Sequence, residues 1–284
     1  MSAQRVAIFN QKGGVAKTTT TKDLGFALAE RGLRVLAVEL DPQANLAIIA
    51  GLGNSQPAHL TVARLLTDPE FEAMDVPDDE RAPLLDAIRE TPWGVPLVPA
   101  YEDLVTAKTA LTSLPQGMGA EQRLRDALDA IEQERAFDVI LMDCPPAADV
   151  LSMNALVAAD WVLIPTGLTT TEVSGISAMI RTVTAIQKHS NPGLKYAGVL
   201  GTRFKKAEGH QVDVAHGLEK QFPPDGPIPF LPMIRNATCV NDASAARQAV
   251  GDASPSHPVV KKDYRKLVDR LVERLDLKVV EVSA

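Results

Sequence analysis

The sequence predicts an α/β protein, a mostly parallel, twisted β-sheet with helices on both faces. Three observations lead there. Short β-rich runs alternate with helical runs along the whole chain. One of those runs, Phe137-Asp-Val-Ile-Leu-Met142, has the apolar character of a buried strand. No internal repeat and no long flexible linker interrupts the 284 residues, so residues 1–284 are expected to form a single domain.

The elements follow in order. Val6–Phe9 is a short apolar run that reads as a strand. A helix is expected from Lys17 to Arg31, with Leu24 and Leu28 on one face and Gly32 where a C-terminal glycine belongs. Arg34–Leu40 is a second strand, and Leu60–Leu66 a short helix. Residues 68–90 hold nine Asp and Glu against two Arg, with three prolines, and read as a solvated surface excursion. Val95–Pro99 is a strand whose prolines favour an edge. Residues 120–135 are helical, with Leu124, Leu128 and Ile131 on one face. Trp161–Ile164 and Tyr196–Leu200 are strands, and 172–188 and 208–221 helices. A Pro/Gly-rich link, Phe222–Pro229, leads to Phe230-Leu231, and a helix over Lys261–Leu275 closes the chain.

Composition narrows the function classes. Hydrophobic residues make up 45% and charged residues 23%, ordinary for a globular protein. No apolar run reaches the ~18 residues that span a bilayer, and the start lacks the apolar length of a signal peptide. The two cysteines, Cys144 and Cys239, have neither metal-binding nor disulfide spacing. A cytoplasmic protein without structural zinc is expected, and no helix-turn-helix precedes a first strand near residue 5. The net charge of −7 argues against nucleic acid, but residues 195–284 carry 14 Lys and Arg against 11 Asp and Glu. Local basic patches still bind phosphate, because the field at a surface is set within a Debye length.

The chemistry concentrates in residues 11–19, Gln-Lys-Gly-Gly-Val-Ala-Lys-Thr-Thr, which follow a strand and open a helix. Gly13 and Gly14 let the backbone approach phosphates, and the N–H groups of Val15, Ala16, Thr18 and Thr19 lie at a helix N-terminus, a ready anion site. Lys17 supplies a cation for the β- and γ-phosphates, and the Thr18 hydroxyl can ligate Mg²⁺. The common G-x-x-x-x-G-K-[ST] spacing is not met, since Gln11 and Ala16 occupy its glycine positions. A second lysine, Lys12, stands five residues before Lys17. Asp41 and Asp143 each end a strand, where α/β proteins place their ligands.

The stretch KGGVAKTTT resembles the deviant Walker A motif, KGGxGKTT, of the ParA/MinD ATPases. The likeness extends to Phe26–Gly32 with Arg34–Asn45, to Pro99-Ala100 with Leu104, to Phe137–Pro146 and to Asn154–Pro165. Among the branches it is most similar to the ParA/Soj partition ATPases. The resemblance implies a single-domain P-loop fold and ATP and Mg²⁺ as cofactors. It makes Asp143 the Walker B carboxylate, holding Mg²⁺ through a water, and Asp41 the residue that positions or activates the attacking water, so that Thr18, Asp41 and Asp143 form the expected metal set. Glu39 stands where the family often has Asp, either as an inward polar partner or as a strand-face residue. Ala16 replaces a family glycine, which fits only at negative φ with room for a methyl group. Residues 166–174 depart from the family's pattern, so the partner-facing surface has diverged.

The resemblance further implies that Lys12 reaches across an ATP-sandwiched homodimer to the other subunit's phosphates, with the logic of an arginine finger. It implies weak basal ATPase activity, stimulation by a ParB-like centromere-binding protein, a chromosome or plasmid cargo, and non-specific double-stranded DNA binding at the nucleoid. Candidate DNA contacts are Arg203, Lys205, Lys206, Arg235, Arg247, Lys261 and Lys262. Ile234-Arg235-Asn236 resembles the family's IPRN segment near the adenine, which adds Arg235 and Asn236 to the nucleotide set. Three alternatives stay open. They are a positioning ATPase for a protein cargo, a MinD-like membrane switch, and a metabolic enzyme of the same superfamily. The closing residues Leu277–Ala284 are no cationic amphipathic anchor, which speaks against the membrane.

Overall fold

The computed structural model describes residues 2–53, 56–57, 60–67, 84–115, 118–237, 243–249 and 258–279. Strand β1 (Gln4–Ile8) runs into helix α1 (Lys17–Ala29), then β2 (Val35–Glu39), α2 (Asn45–Ala50) and α3 (Val62–Leu66). A 3₁₀ turn (Leu84–Ala87), β3 (Leu97–Val98), α4 (Asp103–Ser113), α5 (Arg123–Glu134) and β4 (Val139–Asp143) follow. Then come α6 (Val150–Ala158), β5 (Trp161–Thr166), α7 (Thr170–Val173), α8 (Ile176–His189), β6 (Lys195–Gly201), α9 (Gly209–Gln221), β7 (Phe230–Leu231) and α10 (Pro258–Arg274). Most of the predicted excursion at 68–90 lies outside the described residues, as does Cys239.

The strands form one sheet in the order β3-β2-β4-β1-β5-β6-β7, and every named pair is parallel. The central strands are apolar and buried on both faces, which is why they read as runs rather than alternations. Two apolar layers result. One, with Leu124, Leu128, Leu156 and Val183, packs α5, α6 and α8 on one face. The other, with Leu24, Leu28, Tyr264 and Leu271, packs α1 and α10 on the opposite face. Sequence order reverses at β1, which lies between β4 and β5, so the loop leaving β1 opens into a switch-point crevice.

Both edges end alike. β3 sits between Pro96 and Pro99 and β7 between Pro229 and Pro232. The outward N–H of Leu97 donates to Arg89 O at 2.8 Å, and that of Phe230 to Phe222 O at 2.8 Å.

Three helices carry no clear sequence signal. α6, VLSMNALVA, is apolar nearly all round, so it shows no stripe of period 3.6. α2 is only six residues long, and α4 carries three threonines. The last helix begins at Pro258 rather than Lys261, with proline in the first turn, where its missing N–H costs nothing.

Candidate nucleotide-binding site

The loop between β1 and α1 is built to hold a fixed shape. Asn10 is buried, and its side chain donates to Pro165 O at 2.6 Å while accepting from Lys12 N at 2.8 Å. The Thr202 hydroxyl donates toward Val15 O and Thr166 O, each at 3.1 Å. The loop is thus tied to β5 and to the end of β6. Gly14 takes a φ of +73° with open space around it.

Ala16 corrects an expectation. Its φ is +64°, not negative. The chain must turn through the left-handed region immediately before α1, whose first bond runs from Thr20 N to Ala16 O at 2.9 Å. An L-residue there costs roughly 1–2 kcal/mol relative to the right-handed region.

Lys17 is buried, and its ammonium donates to Lys12 O at 2.9 Å. Burial lowers its pKa, and the charges of Asp143 and Asp41 act against that. Asp143 is fully buried at the end of β4, level with Ile8 on β1 and Glu39 on β2. Burial pushes its carboxyl up to about 7, and the Thr18 and Thr21 hydroxyls on α1 and the Lys17 charge partly offset this. Neither carboxylate oxygen makes a full hydrogen bond. A buried carboxylate in that state is what a hard cation satisfies. Asp143 and the Thr18 hydroxyl therefore fit Mg²⁺, which keeps several waters and phosphate oxygens as its remaining ligands. Asp41 sits at the rim with 9% exposure, and its Oδ1 accepts from Gln43 N at 3.0 Å.

Glu39 is an inward partner and not a surface residue of its strand. It is fully buried and accepts from Leu46 N at 2.5 Å, Ala47 N at 3.1 Å and Ala100 N at 3.3 Å. Burial, with Asp143 beside it, raises its pKa to about 8, against the pull of those N–H groups.

Lys12 lies on the outer side of the loop, half-exposed, with its ammonium on Thr171 O. It borders a pocket of about 680 Å³ shared with Gly13, Thr169, Glu172, Arg203 and Asn236. Thr169 and Glu172 on this rim escaped sequence reasoning. Glu172 closes a capping box with Thr169 at the start of α7 and pairs with Arg203 at 2.5 Å. Asn236 reaches the pocket, whereas Arg235 turns away and grips Asp263 with contacts of 2.8 and 2.7 Å.

Four of the seven candidate DNA cations are held in ion pairs. Arg203 pairs with Glu172, Lys205 with Glu208 at 2.9 Å, Arg235 with Asp263 and Lys261 with Glu30 at 2.7 Å. Lys206, Arg247 and Lys262 are exposed with no ion pair to a described residue. The exposed Arg265 and Lys266 lie three and four residues from Lys262 on α10, so that stripe of the helix starts basic, and the exposed Asp269 and Glu273 continue the same stripe with the opposite sign. Of the three acids that balance these cations in a linear count, only Asp263 is turned inward.

Residues 3–196 match the family model described as an AAA domain. The chain is 34% identical over 218 residues to the chromosome partitioning protein ParA of Caulobacter vibrioides, covering 76% of each. It is 31% identical over 272 residues to the chromosome-partitioning ATPase Soj of Thermus thermophilus, covering 96% of each. The chain belongs to the ParA/Soj family of P-loop partition ATPases. Solved structures carry the same fold. Cobyrinic acid a,c-diamide synthase from Mycobacterium smegmatis, solved with an ATP analog and magnesium, is 30% identical with a TM-score of 0.75 over 98% of this chain and 99% of that one. A McdA–ATP complex from Cyanothece, 23% identical, aligns with a TM-score of 0.76 over 99% of each chain and shares the fold. Within this ParA/Soj frame, no described helix is long and apolar enough to cross a membrane.

Proposed function

We propose that the whole chain works as one ATP-driven partition switch. With ATP and Mg²⁺ it forms a sandwich dimer, binds double-stranded DNA without sequence preference, and lets go when a ParB-like partner stimulates hydrolysis. The observation that carries this reading is the placement of the two loop lysines. Lys17 is buried against the loop, where it can meet its own subunit's phosphates. Lys12 stands on the outer rim, half-exposed, where a second subunit's phosphates can reach it. A cation supplied from outside offsets charge that develops in phosphoryl transfer, so turnover depends on assembly. ATP shifts the population toward the dimer because only its γ-phosphate rewards both lysines. Asn236 lines the pocket and contacts the nucleotide from there, and Arg235 joins it only by leaving Asp263. The DNA-binding cations are Lys206, Arg247 and Lys262, joined by Arg203, Lys205 and Lys261 when phosphate displaces their ion pairs, of which the exposed Lys205–Glu208 pair is worth ~0–1 kcal/mol, and by Arg235 only at the cost of its pair with the buried Asp263.

Binding to random-sequence duplex DNA tests this, with ADP and with a non-hydrolysable ATP analogue, across a salt series. Tight binding only with the analogue is expected, weakening with log salt by about 0.9 units of slope per phosphate neutralised. Equal binding in both nucleotide states would remove the switch.

The likeness to the diamide synthase of Mycobacterium smegmatis favours a second reading, an ATP-dependent amide synthase. An amide-forming enzyme that takes ammonia from glutamine uses a reactive thiol. Among the described residues the one thiol is Cys144, which is buried, and burial pushes it far up, away from the nucleophilic thiolate. Any ATP-, glutamine- and cobyrinic-acid-dependent amide product would nonetheless establish that reading over the first.

A further inference from the structure

We propose that Glu39 is a positioning residue for ATP hydrolysis, a cap supplied from β2 that holds the turn carrying Asp41 in place. The proposal rests on the reading of Asp41 as the residue that orients the attacking water.

Helix α2 begins without a local cap. Its N-cap residue is Ala44, which offers no side-chain acceptor and has a φ of +53°. The first N–H groups of a helix need partners from outside the helix. Here they come from the preceding strand. Glu39 Oε1 takes Leu46 N and Oε2 takes Ala47 N. Five residues, Leu40–Ala44, are therefore closed into a loop whose two ends are held by one carboxyl group. Asp41 is the second of the five. Inside the loop its carbonyl accepts from Ala44 N at 2.9 Å and its Oδ1 from Gln43 N at 3.0 Å.

The same carboxyl also accepts from Ala100 N, just after β3. Three elements, β2, α2 and the start of the β3–α4 connection, thus meet on one buried side chain. Glu39 itself is fixed by the ladder opposite Asp143. The turn with Asp41 is consequently referenced to the strand that carries the metal-binding carboxylate. The long side chain matters, since it spans from the strand end to N–H groups seven and eight residues on. The turn that carries Asp41 is bracketed by Glu39 itself and by the helix start that Glu39 caps.

The test compares Glu39→Ala, Glu39→Gln and Asp41→Ala in steady-state ATPase assays, ATP-binding titrations and amide hydrogen exchange. Misplacing a catalytic group by about 1 Å costs on the order of 100-fold. Glu39→Ala should lower kcat by about 10- to 100-fold with ATP affinity within about threefold, and should speed exchange at Leu46, Ala47 and Ala100. Glu39→Gln, which keeps the shape and one acceptor, should recover part of the turnover. Wild-type kcat in Glu39→Ala, or a loss that only tracks ATP affinity, overturns the proposal. If Glu39→Ala does not fold, Glu39→Gln carries the test, and wild-type turnover with wild-type exchange overturns it. Asp41→Ala separates the two layers. If it hydrolyses ATP normally, the reading of Asp41 fails and the positioning role with it, whereas the exchange data then report the cap alone.

Discussion

Glu39 and Asp143 stand directly opposite each other in the β2–β4 ladder, and neither carboxyl group touches solvent. Burial raises both, to about 8 and about 7. Two ionised carboxylates there would repel each other in a low-dielectric interior, so the nucleotide-free protein holds protons that its unfolded chain has released. Between about pH 4.5 and pH 8 the folded state binds more protons than the unfolded state, and stability falls as pH rises. A melting series without Mg²⁺ should show Tm dropping by about 2–6 °C from pH 5 to pH 8. Asp143→Asn should flatten that slope. A Tm that climbs over the same range contradicts the assignment.

Replacing Ala16 with glycine should stabilise the protein. The φ of +64° penalises any side chain, and glycine removes the penalty at some cost in unfolded-state entropy. The net gain expected is about 0.5–1 kcal/mol by denaturant titration. A destabilised Ala16→Gly would mean that the methyl group contributes packing that outweighs the backbone strain.

The two loop lysines should separate cleanly. Lys17→Ala should abolish nucleotide binding, because it removes the buried cation of the loop. On the proposed trans role of Lys12, Lys12→Ala should bind ATP within about threefold of wild type yet fail to dimerise with it. Light scattering with an ATP analogue decides this, and a normal Lys12→Ala dimer would remove the trans role.

Cations with and without an ion pair to a described residue should differ in DNA binding. Lys206→Glu with Lys262→Glu should weaken binding at least about tenfold and reduce the salt slope by about 2. Arg235→Ala should act mainly on stability, by about 1–3 kcal/mol, because it leaves the buried Asp263 without its partner. Full DNA affinity in the double variant would exclude those two positions.

Much of the fold was legible because its signals are local. The residues of the phosphate loop, Asp41 and Asp143 sit at strand ends that a linear reading finds, and the strand–helix alternation implies parallel pairing. What stayed open, as for Glu39, or escaped, as for Glu172, depends on distant partners. Glu39 meets N–H groups seven, eight and sixty-one residues away, and Glu172 meets Arg203 across thirty-one. Nothing within a strand or a helix period announces such contacts. The φ of Ala16 was misjudged for another reason. The turn from strand to helix sets that angle, whatever residue occupies it. The helix α6 was invisible because complete burial erases the amphipathic stripe.

The two-residue edge strands bear on how copies of this chain can meet. Each edge is flanked by prolines, and its outward N–H is already spent on Arg89 or Phe222. An incoming strand would find almost no unsatisfied groups to zip onto, so the sheet cannot lengthen by adding a neighbour's backbone. Growth into cross-β aggregates is blocked at both borders without any charged gatekeeper. Among the described residues, copies of this chain are left to meet through side chains rather than through shared sheet backbone.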